Sequence, residues 1–514
     1  MAMATQDLTA WAGRVWEQLQ RKLEAECART GSNLPFIPVE GRYRDCLMPG
    51  GAAWWTNGFW PGILWQMAQA TGQDAYAQAA CGADARIAAV LDKPETLDHD
   101  VGFLFLPGSV AEYRLTGHPE ARTAGLRAAG YLMGRFNPRG SFIRAWDKSP
   151  WAEDVSGWMI VDCMLNIPLL SWATRETGDP KYEAVARRHA NTALRCLLRP
   201  DGSCHHIASF DAATGEFLGG LSGQGWGQGS SWARGQGWAL YGFTLAYENL
   251  GDEAYRDAAK RSAHYCIAAL AAWDWLPPAD FRMPAEPFVP DSGAGALIAC
   301  GLLALADTLP AAEQPLYRTA AGKVLQAIEA QWANWDPEVD GILYGGSMMV
   351  HNDRLAGQAF IYNDYFFLEA VLRLLGRYFP VWTFGGPAPA AQTPAPVQEP
   401  PRYSFAHVGL HFDGAAACTE AAGALCQAFG FPSRDIGASV IVAGPVELTK
   451  SRPGGAAGHL GIAVPDVEAA VRDLAAKGIR TVPDTEQRTP DGQLQSVYLD
   501  WQVGGFALHL LKAR

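Results

Sequence analysis

Four times in the first half of the chain, an apolar stretch ends at a glycine and a short polar opening follows. The four are Ala70-Thr-Gly-Gln-Asp-Ala-Tyr76, Leu115-Thr-Gly-His-Pro-Glu120, Glu176-Thr-Gly-Asp-Pro-Lys-Tyr182 and Asn249-Leu-Gly-Asp-Glu-Ala-Tyr255. A glycine in that place predicts a left-handed helix cap, and the Asp, His or Gln after it predicts the start of a second helix. Each unit therefore reads as a helical hairpin. The stretches at about 58–70, 101–115, 157–177, 233–250, 293–309 and 362–376 are apolar nearly all round, as inner helices must be. Their partners at about 74–91, 119–134, 180–197, 253–272 and 313–333, with an N-terminal helix at 6–29, are amphipathic. Twelve helices in six pairs predict an all-α (α/α)6 toroid. The same periodicity suits an open solenoid, because periodicity alone does not close a ring.

At 514 residues, 49% of them hydrophobic, the chain exceeds one ordinary domain. A formal charge of −12 excludes nucleic acid and anionic membranes as partners, since both need a basic face. The ten cysteines show neither a CxxC pair nor zinc-ligand spacing, which predicts reduced, mostly buried thiols. The start of the chain has no basic-then-apolar leader, and no apolar run reaches about 18 residues. The expected compartment is the cytoplasm.

Residues 385–402 contain six prolines and no hydrophobic periodicity, so they read as an extended spacer between a domain at 1–384 and another at 403–514. Beyond the spacer, alternating strands are predicted at 406–412, 439–443, 446–449, 459–464, 496–500 and 506–511, with helices at about 415–429 and 466–477. The small domain is thus α+β, built of two related strand-helix-strand halves, the first reading as short of a full set of strands.

Within the predicted toroid, polar residues mark the starts of the inner helices. Asp162 sits in the apolar run Trp158-Met-Ile-Val-Asp-Cys-Met-Leu-Asn-Ile-Pro-Leu-Leu170. A carboxylate on an apolar inner helix would be desolvated, which suits a general acid; a backbone-bracing role is the alternative. Asp100 follows His99 at a helix start, where it either caps the helix or joins Asp162 as the second carboxylate that glycoside cleavage commonly uses. Arg234 can hold an anionic group with its planar fork. Trp54, Trp146 and Trp238 offer flat apolar faces of the kind sugar rings stack on, although most of the 19 tryptophans must be packing. The adjacent His205 and His206 point apart and do not form a metal pair.

Five motifs, Trp54-x-x-Asn57-Gly58-Phe59-x-Pro61-Gly62, His99-Asp100-x-Gly102-Phe103, Asp162-x-Met164-x-Asn166-x-Pro168-Leu169, Trp232-Ala-Arg-Gly-Gln-x-Trp238 and Asp291-Ser292, resemble the unsaturated glucuronyl hydrolases, glycoside hydrolase family 88. The resemblance covers about residues 10–380 and implies an (α/α)6 barrel with Asp162 and Asp100 as the essential aspartates. It also implies that Trp54, His99, Trp146, His206, Gln224, Arg234 and Trp238 bind the sugar. The implied reaction is removal of a 4,5-unsaturated uronic acid from an oligosaccharide by hydration of its vinyl ether, with no metal or organic cofactor. Asp after His99 separates the chain from the unsaturated rhamnogalacturonyl hydrolases, the nearest alternative. Where the family often carries acidic residues before the Trp232 motif, this chain has Gln228-Gly-Ser-Ser231. That departure leaves the aglycone preference open. An epimerase or isomerase on the same toroid would use a histidine pair instead of paired carboxylates, and a sugar-binding sensor is the remaining alternative.

The C-terminal part resembles the vicinal-oxygen-chelate superfamily that includes glyoxalase I, through Gly458-His459-Leu-Gly-Ile-Ala-Val-Pro-Asp-Val467 and Val446-Glu447-Leu-Thr449. That likeness implies a divalent metal on His407, Glu447, His459 and His509, the last being His where Glu is usual. The alternative is a structural or oligomerising module forming a homodimer.

Overall fold

The structure, a computed structural model, describes residues 2–149, 151–351, 355–384, 403–443, 445–451, 457–490 and 492–513. The predicted spacer at 385–402 lies outside the described residues. The chain divides into two compact units, Met1–Ala390 and Ala391–Arg514.

In the first unit the inner helices are Phe59–Thr71, Val101–Phe105 continuing through a wide turn into Ala111–Thr116, Pro168–Thr177, Ala233–Leu250, Ser292–Asp307 and Ile361–Leu374. Their partners are Asp74–Ala88, Pro119–Gly134, Lys181–Cys196, Glu253–Ala272 and Gln314–Trp332, with Ala2–Thr30 packed on the last inner helix. Helix Ile361–Leu374 packs against both Ser292–Asp307 and Phe59–Thr71, so the ring closes and the open solenoid is excluded. Burial explains the closure. Every residue from Ser292 to Ala306 is buried, which a helix achieves only when surrounded on all sides. The repeat glycines Gly72, Gly117, Gly178 and Gly251 end four inner helices at φ between 73° and 77°, the left-handed cap their spacing predicts.

Two expectations need correction here. The stretch at 157–177 is not one helix: Trp158–Ile160 is a strand, Val161–Leu165 a tight 3-10 turn, and the helix begins only at Pro168. The strand is captured by pairing with Ile207–Phe210, which pairs in turn with Phe217–Leu221. Pro168 suits a first helical position, where its missing N–H costs nothing. Asp162 therefore stands on a turn and not on a helix face. The toroid is also not purely helical, since short antiparallel pairs join Phe136–Asn137 to Phe142–Ile143 and Gly346–Ser347 to Ala356–Gln358.

The second unit is one eight-stranded mixed sheet. Its order is Ser433–Asp435, Ser439–Val442, Val446–Thr449, Ser404–His411, Gly458–Val464, Phe506–Lys512, Leu494–Val503 and Gln487–Arg488. The central pair Ser404–His411 and Gly458–Val464 is antiparallel, and each has a parallel outer neighbour, Val446–Thr449 and Phe506–Lys512. Each half runs strand, helix (Ala415–Phe429 or Val467–Ala476) and then three strands, so the first half is complete and not short. The two unforeseen strands, Ser433–Asp435 and Gln487–Arg488, are exposed throughout and carry no apolar alternation to read. Among the described residues no helix is long and apolar enough to cross a membrane.

Candidate active site

The site begins with a backbone contact. A Cβ on Gly102 would lie 2.4 Å from Asn166 Cα, so only glycine lets the helix start at 101 rest directly on the turn that carries Asp162. Asn166 is then fully buried and joins the two motifs. Its Oδ1 accepts the Phe103 N–H at 2.8 Å, while its Nδ2 donates to Asp100 Oδ1 at 3.1 Å and to the main-chain carbonyl of Asp162 at 3.2 Å. Asp100 occupies the cap position of its helix, yet its side chain makes no cap hydrogen bond, which removes the capping reading. Its own N–H donates to Asp98 Oδ1 at 2.9 Å. Burial, then the charges of Asp98 and Asp162, push the Asp100 carboxyl well above the usual range, and burial pushes Asp98 up to about 6.

Asp162 Oδ1 lies 3.5 Å from His206 Nε2. His206 Nδ1 accepts the Gln224 N–H at 3.0 Å, so the imidazole proton sits on the Nε2 facing Asp162. His99 is buried with Nε2 3.5 Å from Asp100 Oδ1, and burial followed by the Arg135 cation holds it well below the usual imidazole range, hence neutral. The Trp146 ring stands edge-on to both histidines, its centroid 6.3 Å from His99 and 6.4 Å from His206. Asp100, Asp162, His99, Trp146 and His206 are thus brought together as expected. His99 Nδ1, Asp162 Oδ1, His206 Nε2 and Trp232 Nε1 are buried without a hydrogen-bond partner among the described residues. Each such atom costs about 1–3 kcal/mol, and four around one pair of carboxyls fit a ligand rich in hydroxyl and carboxylate groups.

Other expected residues have different roles. Trp238 is fully buried with its ring 5.0 Å from Phe103 and 5.6 Å from Phe366, so it offers no face to a sugar. Arg234 is not a free cation: Nη1 binds Asp291 Oδ2 at 2.8 Å and the Ser347 carbonyl at 2.5 Å, and Nη2 binds the Met348 carbonyl at 2.6 Å. Its guanidinium lies between the rings of Trp232 and Tyr362, at 4.6 Å and 5.0 Å. Gln224 Nε2 donates to the same Met348 carbonyl at 2.9 Å, so both residues fasten one loop beside His206. Trp54 is half-buried ahead of the 3-10 turn Trp55–Gly58 that leads into the first inner helix, edge-on to Phe36 at 5.7 Å. Three site residues have no role in the sequence reading: Asp98, and Asn166 and Trp232, which stand in its motifs; the Trp232 ring lies 4.5 Å from His206. Asn166 stands four residues after Asp162 and Trp232 heads its motif, so spacing held a signal for both.

The family model of Glycosyl Hydrolase Family 88 matches residues 39–365. The chain belongs to this family. It is a glycoside hydrolase. It is 38% identical over 325 residues to the unsaturated glucuronyl hydrolase of Bacillus sp. (strain GL1), covering 62% of this chain and 86% of that protein. The solved structure of that Bacillus enzyme superposes with a TM-score of 0.67 over 72% of this chain and 100% of the other, at 33% identity. The unsaturated chondroitin disaccharide hydrolase of Streptococcus pyogenes serotype M1 is 34% identical over 337 residues, 64% of this chain and 83% of that protein. A mutant unsaturated glucuronyl hydrolase of Streptococcus agalactiae, solved in complex with dGlcA-GalNAc6S, matches with a TM-score of 0.63 at 28% identity, covering 73% of this chain and 94% of that one.

The family 88 match ends before the second unit, which holds a cluster of its own. The ring nitrogens of His407, His459 and His509 lie within 4.8 Å of one another. His407 Nε2 is 3.1 Å from His459 Nε2 and 3.3 Å from His509 Nε2, and Glu447 Oε2 is 3.1 Å from His407 and 3.4 Å from His459. Strand register brings them there. Gly461 lies opposite His407 and Gly409 opposite His459, and a Cβ on either glycine would come within 2.5 Å of the imidazole it faces. His411, absent from the predicted set, places Nε2 3.1 Å from His459 Nδ1. Burial, then the other two imidazoles, holds His509 down at about 3, while hydrogen bonds from His407 and His459 hold Glu447 well below the usual carboxylate range. Imidazole nitrogens and a carboxylate converging on one point are donors a divalent ion accepts, so these residues fit one.

Proposed function

We propose that the protein removes the 4,5-unsaturated uronic acid from the non-reducing end of lyase-made oligosaccharides by hydrating the C4=C5 bond. The observation that carries this reading is the Asp100–Asn166–Asp162 arrangement facing His206, in a chain of family 88. Asp162, whose buried Oδ1 faces His206 Nε2 at 3.5 Å, protonates C4 and then takes a proton from the water that adds at C5. Asp100 has a part different from that of a fixed anion. With its charged form disfavoured by burial and two acidic neighbours, it stores a proton that passes to the Asp162 carboxylate as positive charge develops at C5, and the aspartate pair regains that proton from the water that adds. His206, with its proton on Nε2, orients Asp162, and His99 and Trp146 shape the pocket around the sugar. The hydrated product is a hemiketal that opens and releases the remaining glycan. This chemistry draws on no metal or organic cofactor.

The test is turnover of an unsaturated chondroitin-derived disaccharide in D2O. Deuterium on C4 of the released 4-deoxy product supports hydration of the double bond; a product unlabelled at C4 overturns it. Loss of the enoate absorbance with this substrate separates the hydrolase from an epimerase or a sensor, which leave that band intact.

The second unit is proposed as a vicinal-oxygen-chelate-like domain, supported by its two strand-helix-three-strand halves and its converging histidines. His407, Glu447, His459 and His509 would hold a divalent ion, and such an ion supplies Lewis acidity toward neighbouring oxygens of an α-keto carboxylate. The α-keto acid released by the first unit is its proposed substrate. Metal content of the purified protein and of His459→Ala, with the product mixture of each, tests both statements: equal metal and equal products leave only a structural role. Exposed Phe405, Phe429 and Trp501 on this unit support a homodimer through it, which sedimentation at two concentrations decides. Ten free cysteines support placement in the cytoplasm.

A further inference from the structure

A second cluster of ligand-type side chains stands at the far end of the second inner helix, about 20 Å along the helix axis from Asp100. Cys81 and Asp84 lie one turn apart on helix Asp74–Ala88 and so share a face. Glu112 is in Ala111–Thr116, and His118 follows directly after the Gly117 cap. Cys81 Sγ, a Glu112 carboxylate oxygen and a His118 ring nitrogen all lie within 4.8 Å of one another, and His118 Nδ1 is 2.8 Å from Glu112 Oε1.

A second buried carboxyl, that of Asp84, stands beside this group. Asp84 is 1% exposed, and its carboxyl faces that of Glu112. Oδ2 accepts the Trp65 indole N–H at 2.8 Å, but Oδ1 is buried with no donor among the described residues. Two buried carboxyl groups facing each other repel unless a proton or a cation lies between them. A thiol, an imidazole and a carboxylate oxygen mutually within 4.8 Å form a donor set that zinc accepts, whereas magnesium and calcium avoid the sulfur and nitrogen. The hydrolase chemistry uses none of these four residues.

We propose that Cys81, Glu112 and His118 form a structural Zn²⁺ site, with the Asp84 carboxyl beside Glu112 as a neighbouring negative group. The site fastens the partner helix of the first hairpin to the end of the next inner helix. It takes no part in the reaction at Asp162.

Cobalt distinguishes this site from the histidine cluster of the second unit, which contains no thiol. The full-length protein, stripped with a chelator and titrated with Co²⁺, is expected to show a near-ultraviolet thiolate-to-cobalt charge-transfer band saturating at one Co²⁺ per chain. Cys81→Ser should abolish the band, and His118→Ala, at a half-exposed position that leaves folding intact, should weaken Co²⁺ binding at least about tenfold. Zn²⁺ should raise the thermal midpoint of the parent and not of His118→Ala, with turnover of the unsaturated disaccharide unchanged in both. A parent without the band, or a band that survives Cys81→Ser, overturns the site. Stabilisation by Asp84→Asn without any Zn²⁺ response shows that the carboxyls share a proton only, which overturns it equally.

Discussion

The aspartate site of the toroid and the histidine cluster of the second unit both gather residues remote in sequence, but different physics brings each set together. In the sheet, strand register does the work. His407 stands opposite Gly461 and His459 opposite Gly409 across one antiparallel pair, and His509 pairs with Gly461 from the other side. Side chains on a sheet alternate with period two, so once the strands pair, the rings must share a face. In the toroid no such rule applies. Asp100 and Asp162 come from separate turns, and a Gly102–Asn166 backbone contact with three hydrogen bonds to one asparagine fixes their relation. The carboxylate site is therefore only as precise as its packing, while the histidine cluster is as precise as its sheet.

The largest effects should come from the toroid. Asp162→Asn keeps the volume but cannot carry the proton, and turnover should fall at least about a hundredfold with substrate binding retained. Asp100→Asn should be nearly as damaging. A variant of Asp162 that keeps a tenth of the activity would remove it as the acid. Asn166→Ala should lower kcat by about tenfold to a hundredfold with KM little changed, because it frees both aspartates without touching the sugar. An unchanged kcat would show that packing alone holds the pair and would erase the contrast with the sheet. Arg234→Ala removes the tie to the 347–348 carbonyls and Asp291. It should lower kcat and raise KM together, whereas a rise in KM alone would restore the free-cation role its sequence suggests.

The same contrast explains what could be read in advance. Inner and partner helices were legible because an all-apolar stretch and an amphipathic one differ in pattern, and the glycine caps marked their ends. The four candidate metal positions of the second unit came from its likeness to the vicinal-oxygen-chelate superfamily, and strand register brings them together. Trp238 and Arg234 were not, because an inner helix is apolar all round, and no periodicity tells which face meets the pocket and which meets Phe103 or a loop carbonyl. Asp162 was misplaced onto a helix because the capture of Trp158–Ile160 by Ile207–Phe210 is a tertiary event that local propensity does not encode.

A smaller effect tests the electrostatics. Asp98 ionises near pH 4 in the unfolded chain but at about 6 in the folded protein, so between these values the native state holds the extra proton. Its ionisation therefore costs stability as pH rises through that window, and the cost is full above it. Asp98→Asn keeps the acceptor for the Asp100 N–H and should raise the thermal midpoint at about pH 8 while leaving it unchanged at about pH 4. A gain of equal size at both values would assign the effect to packing.

The smallest expected effect is none at all. The toroid has its own core and every residue of the aspartate site, and the chain divides into two units near residue 390. His459→Ala removes the imidazole that touches His407, His411 and Glu447, so it should abolish divalent-ion binding by the second unit. The rate of uronic acid release should stay within about twofold of the parent, since additivity holds for sites that share no partner. A chain ending after residue 390 should behave the same way in that assay. If either change slows hydration of the double bond by tenfold, the two sites are coupled, and the register-built cluster then belongs to the carboxylate chemistry rather than to a second reaction.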